Sequence, residues 1–395
     1  VSMSVLSPRT RTVFAKEVVD NVRDRRTLAA ALFYPLLGPA MILFMIYAVS
    51  QISKESEGPL ELPVSGREHA ENLIAFLEQN NVTIEEAPAD PEAAVAARDA
   101  DVVLVIPEGF GDSFTSGKPA TVELVVDDSR NEARQTVSRA ELLLYAYGRQ
   151  IGDNRLKLRG VDPSIANPVD VARRDVSTPQ SRAARILSMA PYLILVSLFV
   201  GGMYLAIDST AGERERGSLE PLLINPVARS ELVIGKAGAV LLFTTVALVE
   251  TLVGLSLVLN YFPLERYIGV RMTLPPSSLL AILLICIPLM VFIVAVQLMI
   301  ASYTKSFKEA QNYISLMLLV PAIPALIMAV LPVDESLWLV LLPTVGQQLF
   351  INQILRGEAV TVTYLILSSL VTFGAGVALL AVVGRRYRTE GILFR

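Results

Sequence analysis

Six stretches of the chain stay apolar over the roughly 20 residues that a helix needs to cross a bilayer. They run over about residues 28–50, 186–207, 233–260, 278–303, 312–331 and 362–384. A seventh apolar stretch, 337–355, is broken by Pro343, Gly346 and the pair Gln347 and Gln348. It reads as a half-inserted or interfacial element on the outer side, because backbone interrupted in this way is not held fully within lipid. The first stretch is longer than the 7–15 residues of a signal-peptide core, and no A-x-A-like site follows closely, so it is expected to be a retained span.

Between the first two stretches the period changes. Residues 68–79 place Leu73, Ile74 and Leu77 on one helical face,. Residues 82–86 read as a strand, and 91–98 as a short helix with Pro91 in its first turn,. The run 102–106 is continuously apolar and reads as a buried strand, 121–126 as another, and 131–160 as a long helix with Leu142, Leu143, Tyr145 and Tyr147 near its middle,. Alternating strands and helices predict a small α/β domain over 51–185. The expected fold is therefore a polytopic α-helical membrane protein with six transmembrane helices and an extracytoplasmic α/β domain between helices 1 and 2.

Charge orients this arrangement. Lys and Arg favour cytoplasmic loops. They cluster in the N-terminal arm (Arg9, Arg11, Lys16, Arg23, Arg25, Arg26), after span 2 (Arg214, Arg216, Arg229, with Lys236 just inside span 3), after span 4 (Lys305, Lys308) and in the tail (Arg385, Arg386, Arg388, Arg395). The short opposite loops hold Arg266, Arg271 and Arg356. Both ends are thus expected inside. The segments are an interfacial helix over 1–27, TM1 over 28–50, the outer domain over 51–185, TM2 over 186–207, a cytoplasmic loop over 208–232, TM3–TM6 over 233–384 and a tail over 385–395. The outer block carries 15 basic and 23 acidic residues, a net of −8, so the whole-chain −4 leaves +4 for the rest.

Composition narrows the chemistry. Hydrophobic residues make up 53% and charged residues 18% of the 395, against about 25% charged in a soluble domain. The acidic balance does not suit a nucleic-acid binder. One Cys allows no internal disulfide, and one His allows no multi-histidine metal site,. His69 beside Glu68 and Glu71 reads as a solvated helix surface, Asp127 with Asp128 as a turn, and Cys286 as apolar packing. No catalytic or metal residue is assigned. The nearest approach to a phosphate loop, residues 111–119 (GDSFTSGKP), has five residues between its glycines where a Walker A loop has four, and Pro119 follows Lys118 where Ser or Thr is needed,. Any ATP is hydrolysed by another chain.

Ionisable or polar groups within spans are costly and read as functional. Glu250, deep in span 3, is the clearest: it either coordinates a cation or takes its proton, or it is neutral or paired with a group such as Gln297. Tyr204, Asn260, Gln297, Gln311 and Asn312 are further candidates for a transport pathway, although helix–helix hydrogen bonding explains most such residues. Pro321 and Pro324 should bend span 5.

The loop after span 2 reads DSTAGERERGSLEPLLINPVARSELVIGK over 208–236. Thr210 and Glu213 have capping-box spacing. Leu219, Leu222 and Leu223 share a face opposite the run Glu213, Arg214, Glu215 and Arg216, and Asn225 with Pro226 ends the element. An amphipathic helix against the cytoplasmic face is expected. Phe14, Val18 and Val22 recur every fourth residue in the basic arm, as in a helix lying on the inner membrane surface.

The string over 212–223, followed by Pro226 and the pair Gly235 and Lys236, resembles the loop between spans 2 and 3 of ABC-2-type exporter permeases, most closely the sodium-extruding Nat type. Ser218 stands where Thr is commoner. Residues 100–129 (ADVVLVIPEGFGDSFTSGKPATVELVVDDS) also resemble the outer domains of such exporters, so the resemblance covers nearly the whole chain. It implies a non-enzymatic permease subunit in a bacterial or archaeal cytoplasmic (inner) membrane. The permease would pair with a second permease chain, as a homodimer, and with two copies of a separate ABC ATPase that carries ATP and Mg2+; this chain itself would bind no cofactor. The resemblance further implies that Glu213, Arg214, Glu215, Arg216, Gly217, Leu219, Glu220, Leu222 and Leu223 form the helix that couples to the ATPase. The element over 337–355 resembles external helices that close the outer mouth. Sodium or another small cation is the first expectation for the substrate. An amphipathic drug, lipid or antimicrobial peptide is the alternative within the class. A membrane-anchored receptor or envelope-assembly component is the alternative outside it, and a stand-alone secondary transporter is weaker because the halves show no internal repeat.

Overall fold

The computed structural model describes residues 7–130, 133–166, 169, 174, 187–262, 273–331, 333 and 335–388. Ile186, Arg266, Arg271 and Arg395, expected in a span, the short outer loops and the tail, lie outside the described residues. The chain divides into two compact units, Val1–Ala48 with Val176–Arg395, and Val49–Asp175.

The smaller unit is a four-stranded sheet with helices against it. Its strands are β1 (Leu60–Ser65), β2 (Val82–Glu86), β3 (Val102–Val105) and β4 (Glu123–Val126), in the order β2-β1-β3-β4. β1 pairs parallel with β2 and β3, and β4 is antiparallel to β3. The sequence reading missed β1 because Pro63 sits inside it. Leu60, Leu62 and Val64 nevertheless alternate into the core, and this places β1 at the centre of the sheet,. The later elements follow the periodicity closely. After α1 (Pro8–Arg23) and α2 (Arg25–Glu57), which come earlier in the chain, the helices here are α3 (Glu71–Gln79), α4 (Pro91–Ala97), α5 (Phe110–Thr115) and α6 (Arg134–Leu158). Asp90 caps α4 by accepting from Ala93 N at 3.0 Å,. On α6 it is Tyr147 that enters the core, while Leu142 and Tyr145 remain exposed. Asp127 closes a turn by accepting from the amide (3.0 Å) and hydroxyl (2.6 Å) of Ser129, and these bonds hold its carboxyl below the ordinary range. His69 Nδ1 lies 3.1 Å from the carbonyl of Ile106.

The larger unit is a helix bundle. Among the described residues six helices are long and apolar enough to cross a membrane: Ala31–Ala48, Ala190–Glu215, Arg229–Tyr261, Pro276–Tyr303, Phe307–Met328 and Val362–Arg386. They match the six predicted stretches. In chain order they comprise α2; α7 (Ala190–Gly201) and α8 (Met203–Ile207); α11 (Arg229–Tyr261); α12 (Pro276–Tyr303); α13 (Phe307–Leu316) and α14 (Leu319–Val330); and α17 (Val362–Arg386). Two short helices after the second span, α9 (Glu213–Glu215) and α10 (Leu219–Ile224), precede α11. The interrupted seventh stretch forms α15 (Leu337–Val340) and α16 (Val345–Arg356), separated where Thr344 takes a φ of 76°.

Small residues set the closest approaches. A Cβ on Gly201 or Gly202 would collide with Ala247 or Thr244 of α11, so α7 and α11 cross here with almost no side chain between them,. A Cβ on Gly254 would lie 2.7 Å from Pro39, which seats α2 on α11. Pro39 cannot donate to the carbonyl four residues earlier, Pro35 O, and Thr251 of α11 donates its hydroxyl to that oxygen at 3.1 Å,. A Cβ on Gly376 of α17 would come within 2.9 Å of the Phe292 backbone on α12. Cys286 is buried in the main apolar core with Leu289, Ile293, Leu252 and Leu198. The fifth span breaks between α13 and α14, just before Pro321, and Gln348 Nε2 donates to Pro321 O at 2.7 Å.

Candidate functional site

The loop after α8 does not begin with the predicted capping box. The helix instead continues into a π turn over Asp208–Gly212, then α9, a turn and α10. The reason lies in Glu213. Its carboxylate does not fold back onto the backbone near Thr210, because it has a stronger partner: Glu213 Oε2 lies 2.7 Å from Nζ of Lys236 in α11, and Oε1 lies 2.9 Å from Nζ of Lys16 in α1,.

Lys236 is the largest fully buried side chain among the described residues, at 1% exposure. Besides Glu213 it donates to Glu17 Oε1 at 3.0 Å and to the carbonyl of Ser209 at 2.5 Å. Its three ammonium protons thus have three acceptors. Lys16 also reaches Glu17 Oε1 at 3.1 Å and Asp20 at 3.7 Å. Two lysines and two glutamates from α1, α9 and α11 therefore form a charge-balanced cluster, which is what a buried ion pair requires. Burial acts to lower the pKa of Lys16, but the carboxylates of Glu17 and Glu213 prevail and raise it above the ordinary lysine range. A raised lysine pKa contributes stability that is complete below the unfolded value of about 10.4 and is lost only above it. The Lys16 contribution is accordingly constant through neutral pH.

Gly235 makes the cluster accessible to α1. A Cβ there would lie 2.7 Å from Val13 Cγ1 and 3.1 Å from Thr10 O. α1 therefore packs directly on the first turns of α11 and delivers Glu17 to Lys236. The face that α1 turns to the bundle is a different one from the apolar row expected at the membrane surface. The buried positions are Thr10, Val13, Glu17 and Asn21; Phe14 and Val18 are only partly covered, and Val22 is 49% exposed. The reading by apolar period overlooked a polar stripe, because it gave no weight to a carboxylate whose partner lies 219 residues away.

The rest of the string docks on other helix ends. Arg214 donates from Nη1 to Thr304 O at 2.6 Å and from Nη2 to Ser302 O at 2.7 Å, closing the C-terminus of α12,. Arg386 adds a bond to Ser302 O at 3.1 Å and stacks its guanidinium 3.6 Å above the Tyr303 ring,. Glu215 Oε2 accepts from the amide of Phe307 at 2.7 Å, at the N-terminus of α13, where a carboxylate also complements the helix dipole,. Arg216 reaches back to Asp208 at 2.8 Å, a bond that raises its pKa further. Gly217 has a φ of 69° and turns the chain into α10,. Leu219 is buried with Val233, Val383 and Tyr387, and Leu222 packs against them; the side chains of Glu220 and Leu223 lie outside those described. The expected leucine face is thus turned inward. Each of the four charged residues bonds to this chain; Glu213 is buried by its bonds, whereas Glu215 and Arg216 remain exposed. Beyond the turn at Glu215–Ser218, which is also exposed, the loop presents Pro221, Ile224, Asn225 and Pro226 to solvent, with Ile224 at 85%.

The transport candidates are not gathered in one place by direct bonds. Glu250 on α11 is partly buried, and its Oε2 has no hydrogen-bond partner among the described residues. It is not paired with Gln297, which is buried on α12 and donates to Phe199 O at 2.6 Å. Asn260 donates to Ser256 Oγ at 2.9 Å and exchanges bonds with the Leu274 backbone, fixing the ends of α11 and α12. Tyr204 packs obliquely on Phe307, with centroids 6.4 Å apart. Gln311 is half-buried and Asn312 exposed on α13. Sequence reasoning missed Lys16, Glu17 and Asp208 as members of the loop assembly. A lone lysine just inside an apolar stretch was the available signal, because such a charge needs a partner.

Six helices long and apolar enough to cross a membrane, tied together by such a loop, describe a multi-pass membrane protein. The sequence profile of the ABC-2 family transporter proteins matches residues 25–383, and the chain belongs to that family. It is 29% identical over 355 residues to the ABC transporter permease protein NatB of Bacillus subtilis (strain 168), covering 87% of this chain and 89% of that one. It is a multi-pass transport component of the ABC-2 type.

Proposed function

We propose that the chain is the permease subunit of an ATP-driven exporter of sodium or another small cation, operating as a homodimer with two copies of a separate ABC ATPase. The loop over 208–232 is cytoplasmic in this reading, and the α/β unit lies outside. The observation that carries the coupling role is the attachment of one short string to the middle of α1 and to the ends of α11, α12 and α13. A push on the exposed tip at Pro221, Ile224 and Pro226 would reach all four helices together, as a rigid lever. An apolar Ile224 side chain standing in water suits a socket on a partner,. Ile224→Asp is expected to prevent the ATPase from co-purifying while the permease stays folded. Glu215→Ala with Arg216→Ala is expected to leave ATPase binding but to uncouple ATP hydrolysis from transport. Undiminished co-purification and tight coupling in these variants would refute the assignment.

The cation reading is supported by the unpartnered oxygen of Glu250 within α11 and by similarity to a relative named NatB. A carboxylate kept there without a bond costs stability unless it meets a cation or a proton. ATP-dependent ²²Na⁺ uptake into inside-out vesicles is expected to be lost or reduced at least tenfold in Glu250→Gln. Sodium movement that is the same with and without ATP in the wild type would overturn this reading and favour an amphipathic cargo.

A further inference from the structure

A cavity of about 790 Å³ lies between α1, α11, α12 and α17, apart from the ion-pair cluster and from Glu250. Its walls have two chemistries. Leu241, Phe373 and Val377 give it an apolar length, and Phe373 and Val377 remain 46% and 38% exposed. Arg11, Arg385 and Arg388 also line it. All three arginines are exposed, and none has a carboxylate partner within ion-pair distance among the described residues.

The spacing of these two parts matches a membrane leaflet. Arg385 stands twelve residues beyond Phe373 on α17, which is about 18 Å of helix axis. Half of a hydrocarbon core of about 30 Å is about 15 Å. Arg385 also directly follows the apolar run of α17, and Arg11 comes from a helix that packs on the first turns of α11. The guanidinium groups therefore stand at headgroup level, with the apolar wall running inward from them by the depth of one leaflet.

We propose that this groove holds one anionic phospholipid, its acyl chains along Leu241, Phe373 and Val377 and its phosphate between Arg11, Arg385 and Arg388. Free phosphate could use the arginines but not the apolar wall. A zwitterionic lipid could use the wall, but its own ammonium would oppose three arginines. An anionic lipid satisfies both, as in other basic pockets between spans. The bound lipid would tie α1, and through Glu17 the coupling loop, to the membrane face.

The test uses the purified full-length protein in detergent, with phosphatidylglycerol or phosphatidylcholine of equal chain length added and bound lipid counted by native mass spectrometry. The wild type is expected to retain one phosphatidylglycerol. The triple variant R11Q/R385Q/R388Q is expected to bind it on the order of 100-fold more weakly, at about a factor of five per arginine. Val377→Trp, which fills the groove and leaves the arginines intact, should also lose it. Unchanged melting in lipid-free detergent would show that both variants are folded. Equal retention of phosphatidylglycerol by wild type and triple variant would overturn the proposal. So would its displacement by millimolar inorganic phosphate, or efficient disulfide cross-linking of V377C between two copies, which would make the groove a protein interface.

Discussion

Lys236→Ala is expected to destabilise the permease by about 3–5 kcal/mol, the cost of breaking a buried ion pair by removing one partner. Glu17 Oε1 is shared between Lys16 and Lys236, and Glu213 divides its two oxygens between the same lysines. Without Lys236, two carboxylates remain with one half-exposed lysine and the carbonyl of Ser209 loses its lysine donor. Repulsion should drive α1 away from α11 and release the loop. A denaturant titration of the purified protein would read the loss as a lower midpoint. The neutral triple variant, Lys236→Met with Glu17→Gln and Glu213→Gln, should regain most of it, since uncharged groups of similar size need no ionic partner. A loss below about 1 kcal/mol in Lys236→Ala, the range of a solvated pair, would show that the cluster is not the anchor described here.

The second large effect falls on Arg214. Its fork spans two carbonyls at the end of α12, at 2.6 and 2.7 Å. A hydrogen bond from a charged donor contributes about 1.5–3 kcal/mol. Part of this is lost to solvent at a half-buried site, and Arg386 still serves Ser302 O, so Arg214→Ala should cost about 2 kcal/mol in stability. The functional result should be larger than the stability result. With α9 no longer fixed to α12, hydrolysis by the bound ATPase should continue with little transport. Arg214→Lys should not rescue it, because a single ammonium cannot reproduce the planar two-point contact. Wild-type coupling in Arg214→Lys would mean that charge alone suffices and that the bidentate geometry is incidental.

Much of this was legible in advance. Spans appear in a sequence because lipid offers backbone groups no partner, so each crossing must be a long apolar helix. The break over 337–355 was visible at Pro343 and Gly346, and the strands β2, β3 and β4 at their apolar runs. β1 was hidden by Pro63. The loop was legible as an amphipathic unit, and Leu219 faces inward as its pattern requires. Its charged residues were legible as important but not in their roles, since opposite charges on one short helix read as a solvated face.

The sequence by itself determined the number of spans, the division into an apolar bundle and an α/β unit, and membership of the ABC-2 family. These follow from local chemistry, namely the apolar length, the period and a short shared string. Only the tertiary structure decided what that string does within the chain. It brings Lys236 to Glu17 across 219 residues, Arg214 to Thr304 across 90 and Glu215 to Phe307 across 92. No local pattern specifies such pairs, because an ion pair depends on distance in space, and that distance is set by the close approaches that Gly235, Gly201 and Gly202 permit.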